Sequence, residues 1–254
     1  MQFYLQTQPN RERFLYYYGA LQRARVPPSA HTYKLLLDAY ATLPPIDIPT
    51  MELVFSHLIA DKSVRVQGTH WASLISAYGI HAGDVKKAEE VFNKIPAKGG
   101  DYEAVVWEAW LNVLSQQGTI EQLEEARTRM LESGVQPTAY VYNVLINGYA
   151  RAGNIGRARE VFESMGDSIT GVAAPNNHPV LLTSSGHAKP STQATTTGVV
   201  YREPSTYEAM IRAEVTCGDQ QRAAEVLQRM EERGYPMAVY MRGKAALEGE
   251  PPKF

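Results

Sequence analysis

Cysteine is all but missing. Cys217 stands alone among 254 residues, which excludes an intramolecular disulfide framework and a zinc site built on paired thiolates within one chain. Long apolar runs are missing too. No stretch approaches the roughly eighteen apolar residues of a bilayer-crossing helix, and the N-terminus lacks the apolar core of a secretory signal, so neither membrane insertion nor secretion is expected. Nor is there an excess of one charge. Lys and Arg number 25 against 27 Asp and Glu, a net charge of −2, so no global field draws the chain to a polyanion or to anionic lipid. Any such contact must be local. The first 29 residues do lean positive, because Arg11, Arg13, Arg23 and Arg25 face only Glu12, four minus one.

Catalytic signatures are absent as well. One cysteine cannot make a C-x-x-C pair, and the histidines at 31, 57, 70, 81, 178 and 187 show neither H-E-x-x-H nor H-x-E spacing, so a zinc hydrolase or deaminase centre is excluded. No G-x-x-x-x-G-K or G-x-G-x-x-G opens a helix after a strand, which leaves phosphate-loop cofactors without support. The expectation is a binding protein with no enzyme active site, no metal and no cofactor.

What is present is a repeat. Tyr142 precedes an apolar helical stripe of Leu145, Ile146 and Tyr149. The turn Gly153-Asn154 follows, and then a second stripe of Ile155, Ala158, Val161, Phe162 and Met165. This pattern predicts two helices joined by a short turn. The same template runs from Trp71 through Leu74, Ile75, Tyr78 and Gly83 to Val85, Ala88, Val91, Phe92 and Ile95. It recurs at Trp107 with Gly118 and Met130, at Tyr207 with Gly218 and Met230, and begins again at Tyr33. The spacing from Trp71 to Trp107 is 36 and from Trp107 to Tyr142 is 35. A single unit of this kind cannot bury its own apolar face, so neighbours must stack.

The segments are 1–29, a partial repeat read as a second helix; 30–67, 68–103, 104–138 and 139–167, full repeats; 168–203, an insertion; 204–238, a repeat; and 239–254, a partial repeat and tail. The insertion is rich in Ser, Thr, Gly and Pro with almost no charge, so it is read as disordered. The opening residues read as a helix with an aromatic face, not as a transit peptide. The fold class is all-α, a right-handed superhelical α-solenoid of about five helix-turn-helix repeats.

A helical hairpin of about 35 residues, with an aromatic followed by Leu-Ile, an Ala-Gly turn, an Ala-centred second helix and the closing Gly134-Val135-Gln136-Pro137, resembles the pentatricopeptide repeat family. The tetratricopeptide repeat, with its 34-residue period, lacks that closing Gly-x-x-Pro. The resemblance implies single-stranded RNA as partner, read one base per repeat on a concave face, and a mitochondrial role in RNA stability, processing or translation. It assigns base reading to the residue after the first-helix aromatic, which gives Lys34, Ala72, Glu108, Asn143 and Glu208, and to the residue after the closing proline, which gives Thr138 and Ala238. The residue two before the aromatic, Tyr140 or His31, would sandwich the base. Asn147 and Arg151 would line the same groove. Glu108 and Glu208 depart from the pattern, since a carboxylate only accepts and would sit among phosphates.

A second reading stays open: a solenoid groove equally suits protein partners, and the charge of −2 favours a protein-interaction scaffold. Trp71, Trp107 and Trp110 fall on apolar helical positions and are read as core, not stacking platforms. Tyr16, Tyr17 and Tyr18 beside the N-terminal arginines form either helix packing or a basic aromatic patch. Arg151, Arg157 and Arg159 lie near Glu160 and Glu163, consistent with phosphate contact or with solvated surface charge. Cys217, before the turn at Gly218, is read as a structural thiol.

Overall fold

A computed structural model describes residues 1–95, 103–167 and 199–249. They form thirteen α-helices and one π-helical turn, with no strand among the described residues beyond an isolated Gly166–Tyr201 bridge. The helices fall into two compact units that divide at Gly118–Thr119, inside the segment read above as the repeat 104–138. The first unit holds α1 (Gln2–Gln6), α2 (Arg11–Arg23), α3 (Ala30–Thr42), α4 (Ile48–Ala60), α5 (Gly68–Ser76) with its π continuation (Ala77–His81), α6 (Val85–Asn93) and α7 (Glu103–Gln117). The second holds α8 (Ile120–Glu132), α9 (Ala139–Arg151), α10 (Ile155–Ser164), α11 (Pro204–Thr216), α12 (Gln220–Glu232) and α13 (Met237–Leu247).

Each hairpin turn has a local cause. At Gly153 the backbone adopts φ 74°, a region where only glycine sits without strain. This lets the Asn154 amide donate back to Tyr149 O at 2.8 Å and close the first helix. The Asn154 side chain then accepts from Arg157 N at 3.2 Å and starts the second helix. Asp84 and Asp219 cap α6 and α12 in the same way.

Packing between repeats follows one aromatic rule. Phe55 of α4 meets Trp71 of α5 edge-on at 4.8 Å, and Phe92 of α6 meets Trp107 of α7 at the same distance and angle. In the second unit Phe162 of α10 meets Tyr207 of α11 at 5.6 Å. The second helices α4, α6 and α10 thus each send a phenylalanine against the opening aromatic of the next first helix, a contact worth about 0.5–1.5 kcal/mol beyond its buried area. Trp71 and Trp107 are half-buried in these contacts, and Trp110 is buried against Phe92.

Two features differ from the sequence reading. Trp71 to Gly83 spans twelve positions, whereas Trp107 to Gly118, Tyr142 to Gly153 and Tyr207 to Gly218 each span eleven. The π turn absorbs the additional residue, with Ala82 N donating to Ala77 O. The tail of the segment read as disordered is also built into the fold. Most of that segment, 168–198, lies outside the described residues, but Gly166 N donates to Val200 O at 2.9 Å and Arg202 N to Gly166 O at 2.8 Å. Arg202 is buried and donates to Phe162 O and Asp167, and it pairs with Glu163. A single arginine offering its whole guanidinium fork to three acceptors is the interaction that the Ser, Thr, Gly and Pro composition hid.

Candidate nucleic-acid interface

On an α-helix, positions i, i+3, i+7 and i+11 share one stripe. On α9 this stripe is Tyr140, Asn143, Asn147 and Arg151, and on α3 it is His31, Lys34, Asp38 and Thr42. The corresponding residues are Thr69, Ala72 and Ser76 on α5, Val105, Glu108 and Asn112 on α7, and Ser205, Glu208, Arg212 and Thr216 on α11. Each first helix therefore offers one ridge, polar apart from Ala72 on α5 and Val105 on α7. Sequence reasoning found the whole ridge of α9, His31 and Lys34 on α3 and one residue each on α5, α7 and α11, and it missed Asp38, Thr42, Ser76 and Arg212 among others. The same spacing, extended by two turns, finds them.

Within the first unit the stripes of α3, α5 and α7 border an open cavity of about 240 Å³ lined by Lys34, Asp38, Thr42, Ala72, Ser73 and Val105, among others. Lys34 and Ala72, two of the expected base-reading positions, thus share one wall. Lys34 Nζ lies 2.5 Å from Asp38 Oδ2, and Ser73 Oγ donates to Asp38 Oδ1 at 2.6 Å. His81, brought here by the π turn, is held below the usual imidazole pKa by partial desolvation. His31 is exposed on α3, outside the lining of this cavity.

In the second unit Asn143 Nδ2 donates to Ser205 Oγ at 3.0 Å, which ties α9 to α11 side by side. Asn143 Oδ1 is buried with no hydrogen-bond partner. Tyr140 is exposed, as are Asn147 and Arg151. Thr138 is buried, and its hydroxyl accepts from Val141 N at 3.4 Å as the cap of α9. Glu208 is half-buried, and burial raises its carboxyl pKa despite Arg242 at 3.1 Å. Burial thus disfavours the charged form of this carboxyl, and its protonated form donates as well as accepts.

Residues elsewhere are committed to the fold. Arg159 pairs with Glu214 and Asp219, and Arg157 with Glu124 and Glu160. Arg11 pairs with Asp47 and lies over the Tyr40 ring. Tyr16 and Tyr17 stay exposed, whereas Tyr18 packs on the core around Phe14. Cys217 is exposed at the end of α11. Among the described residues no group of three or more His, Cys, Asp or Glu is placed to hold a metal ion, and no helix is long and apolar enough to cross a membrane.

The recurring hairpin finds matches in known proteins. Residues 69–100 and 133–166 each match a family model described as a PPR repeat, and residues 203–236 match the pentatricopeptide repeat domain. A Schizosaccharomyces pombe protein named pentatricopeptide repeat-containing protein 5, mitochondrial, is 30% identical over 246 residues, 95% of this chain and 17% of that protein. The chain belongs to the pentatricopeptide repeat family. A putative pentatricopeptide repeat-containing protein of Arabidopsis thaliana is 30% identical over 131 residues, 51% of this chain and 20% of that protein. The chain thus spans a fifth or less of the length of these two relatives. The crystal structure of the pentatricopeptide repeat protein PPR10 in complex with an 18-nt psaJ RNA element aligns with a TM-score of 0.59 at 16% identity, covering 91% of this chain and 28% of that one. PPR10 from maize aligns with a TM-score of 0.54 at 21% identity, covering 94% and 30%. At these identities the likeness is one of pentatricopeptide repeat fold.

Proposed function

We propose that this pentatricopeptide repeat chain binds single-stranded RNA along its first-helix ridges and acts without catalysis in mitochondrial post-transcriptional gene expression, such as RNA stability, processing or translation. The observation that carries the reading is Asn143. Its amide sits on the ridge of α9 with one end tied to Ser205 and the other, Oδ1, buried and unpartnered. A buried acceptor without a partner costs about 1–3 kcal/mol, and an amide that turns from Ser205 toward a base N–H in the groove recovers that cost. Tyr140 beside it offers an exposed ring on which a base stacks. The PPR10 structure with RNA supports the partner class, and the mitochondrial name of the fission yeast relative supports the compartment.

Equilibrium binding of mixed single-stranded RNA oligonucleotides across a salt series tests the reading. Binding at low salt that falls as salt rises is expected, because phosphate contacts release counterions. Asn143→Ala with Arg151→Ala is expected to weaken that binding with helicity unchanged. No binding even at low salt ends the reading.

The second reading, a protein-interaction scaffold, draws on the charge of −2. Pull-down from a mitochondrial extract with and without ribonuclease separates the two. Partners that survive ribonuclease favour the scaffold.

A further inference from the structure

Resting on the RNA-binding reading above, we propose that the cavity between α3 and α5 takes a guanine, whose Watson–Crick edge is read by Lys34 and Asp38. The polar groups on its wall stand in a fixed order. Lys34 Nζ touches Asp38 Oδ2, and Ser73 Oγ holds the other oxygen, Oδ1. The sequence along the wall is therefore a donor, Nζ, followed by two acceptors, Oδ2 and Oδ1.

None of the three groups is exhausted. An ammonium has three hydrogens and Lys34 spends one on Asp38. Each carboxylate oxygen accepts two hydrogen bonds, and each here has accepted one. Guanine presents the complementary order on its edge: the O6 acceptor, then the N1–H and N2–H donors. Lys34 faces O6, Oδ2 takes N1–H, and Oδ1 takes N2–H. The other bases match worse. Adenine sets the N1 lone pair against the carboxylate, cytosine sets N3 and O2 against it, and uracil satisfies Nζ and Oδ2 but turns O2 toward Oδ1.

The surroundings suit a base better than a phosphate. Asp38 neutralises the charge of Lys34 at 2.5 Å, so the pair has no net attraction for an anion. Ala72 and Val105 supply apolar wall for the ring. Both members of the pair are partly sheltered, with side-chain exposures of 35% for Lys34 and 22% for Asp38. A hydrogen bond formed here therefore competes with less water than one on open surface.

The test uses the full 254-residue chain. Wild type, Asp38→Asn, Lys34→Met and Ser73→Ala are equilibrated with a random pool of single-stranded RNA, and the retained RNA is sequenced. In wild type, guanine is expected to be enriched at one position by about fivefold to a hundredfold over the pool, the range of one bidentate base contact. Asp38→Asn sets an amide donor against N1–H or N2–H and is expected to abolish the enrichment at that position alone. Lys34→Met is expected to lower it, and it decides the matter if Asp38→Asn loses helicity. Ser73→Ala, which leaves both base-facing groups in place, is expected to keep it. Retained RNA without a guanine-enriched position, or enrichment indifferent to both Asp38→Asn and Lys34→Met, overturns the guanine assignment and leaves RNA binding standing. Retention of no RNA by wild type overturns both.

Discussion

Arg159 and Glu214 form an ion pair at the place where, one seam earlier in the second unit, Glu124 and Tyr149 form a hydrogen bond. Glu124 and Arg159 are the fifth residues of α8 and α10, and Tyr149 and Glu214 lie seven positions after Tyr142 and Tyr207. In the first unit Glu52, the fifth residue of α4, accepts from Tyr78, seven after Trp71. One register thus ties α4 to α5 with its π continuation, α8 to α9 and α10 to α11, and at the α10–α11 seam the acid moves to the opposite partner. Burial and the facing carboxylate together push the phenol pKa of Tyr78 and Tyr149 upward. The two kinds of tie fail differently. Tyr149→Phe removes one hydrogen bond to a carboxylate that water can reach, and is expected to cost about 1 kcal/mol. Arg159→Ala strands Glu214, whose side chain is 1% exposed, and is expected to cost about 3–5 kcal/mol. Urea unfolding measures both, and Arg159→Met with Glu214→Leu is expected to recover most of the second loss.

The π turn sets a steric limit. A Cβ on Gly79 would lie 2.4 Å from both γ-methyl carbons of Val113. Gly79→Ala is therefore expected to destabilise the first unit by about 1–3 kcal/mol, and Val113→Ala in the same chain to relieve part of that. Thermal melts of the single and double variants check it.

The closure beneath the insertion makes a separate prediction. Because Gly166 and Val200 already pair across it, replacing residues 168–198 by a short Gly/Ser linker is expected to change stability by less than about 1–2 kcal/mol, given the logarithmic cost of loop length. Arg202→Ala is expected to be at least as costly, about 1.5–3 kcal/mol, since it removes charge-assisted bonds to Asp167 and Phe162 O. Calorimetry of both variants tests the ranking, and an excision that unfolds α11 contradicts it.

His70 predicts a pH dependence. Its Nδ1 accepts from Gln67 N at 2.9 Å, so Nε2 carries the proton and donates to Ala30 O at 2.8 Å, tying α5 to α3. Burial lowers its folded pKa below 6.5 against the opposing pull of these backbone bonds. The unfolded chain therefore binds a proton first as pH falls. The neutral imidazole's contribution is whole above about 6.5 and drains away as pH drops toward the folded pKa. His70→Gln is expected to flatten this part of a stability–pH curve measured from pH 7.5 to 5.

The repeat was legible because its signal is local: an aromatic, a stripe of period 3.6, a glycine turn and a cap recur within each hairpin. The ridge positions Lys34, Asn143, Tyr140 and Arg151 follow from the same period and from the family resemblance. What stayed hidden depends on partners distant in sequence. Arg202 looked like the end of a polar linker because its acceptors lie up to forty residues away. Asp38 carries no signal of its own in the sequence, because the group that holds its other oxygen, Ser73, lies thirty-five residues on. The π turn had left a trace in the twelve-residue spacing after Trp71, but only packing against Val113 explains why it stands there.

Ultraviolet cross-linking of the chain to single-stranded RNA, with the adducts mapped by mass spectrometry, asks directly whether RNA lies along the first-helix ridges. Adducts at Tyr140 and on the ridges of α3 and α11, reduced in Asn143→Ala with Arg151→Ala, are expected. Adducts confined to the outer faces of second helices such as α4 and α12, or no adducts at low salt, would contradict the account.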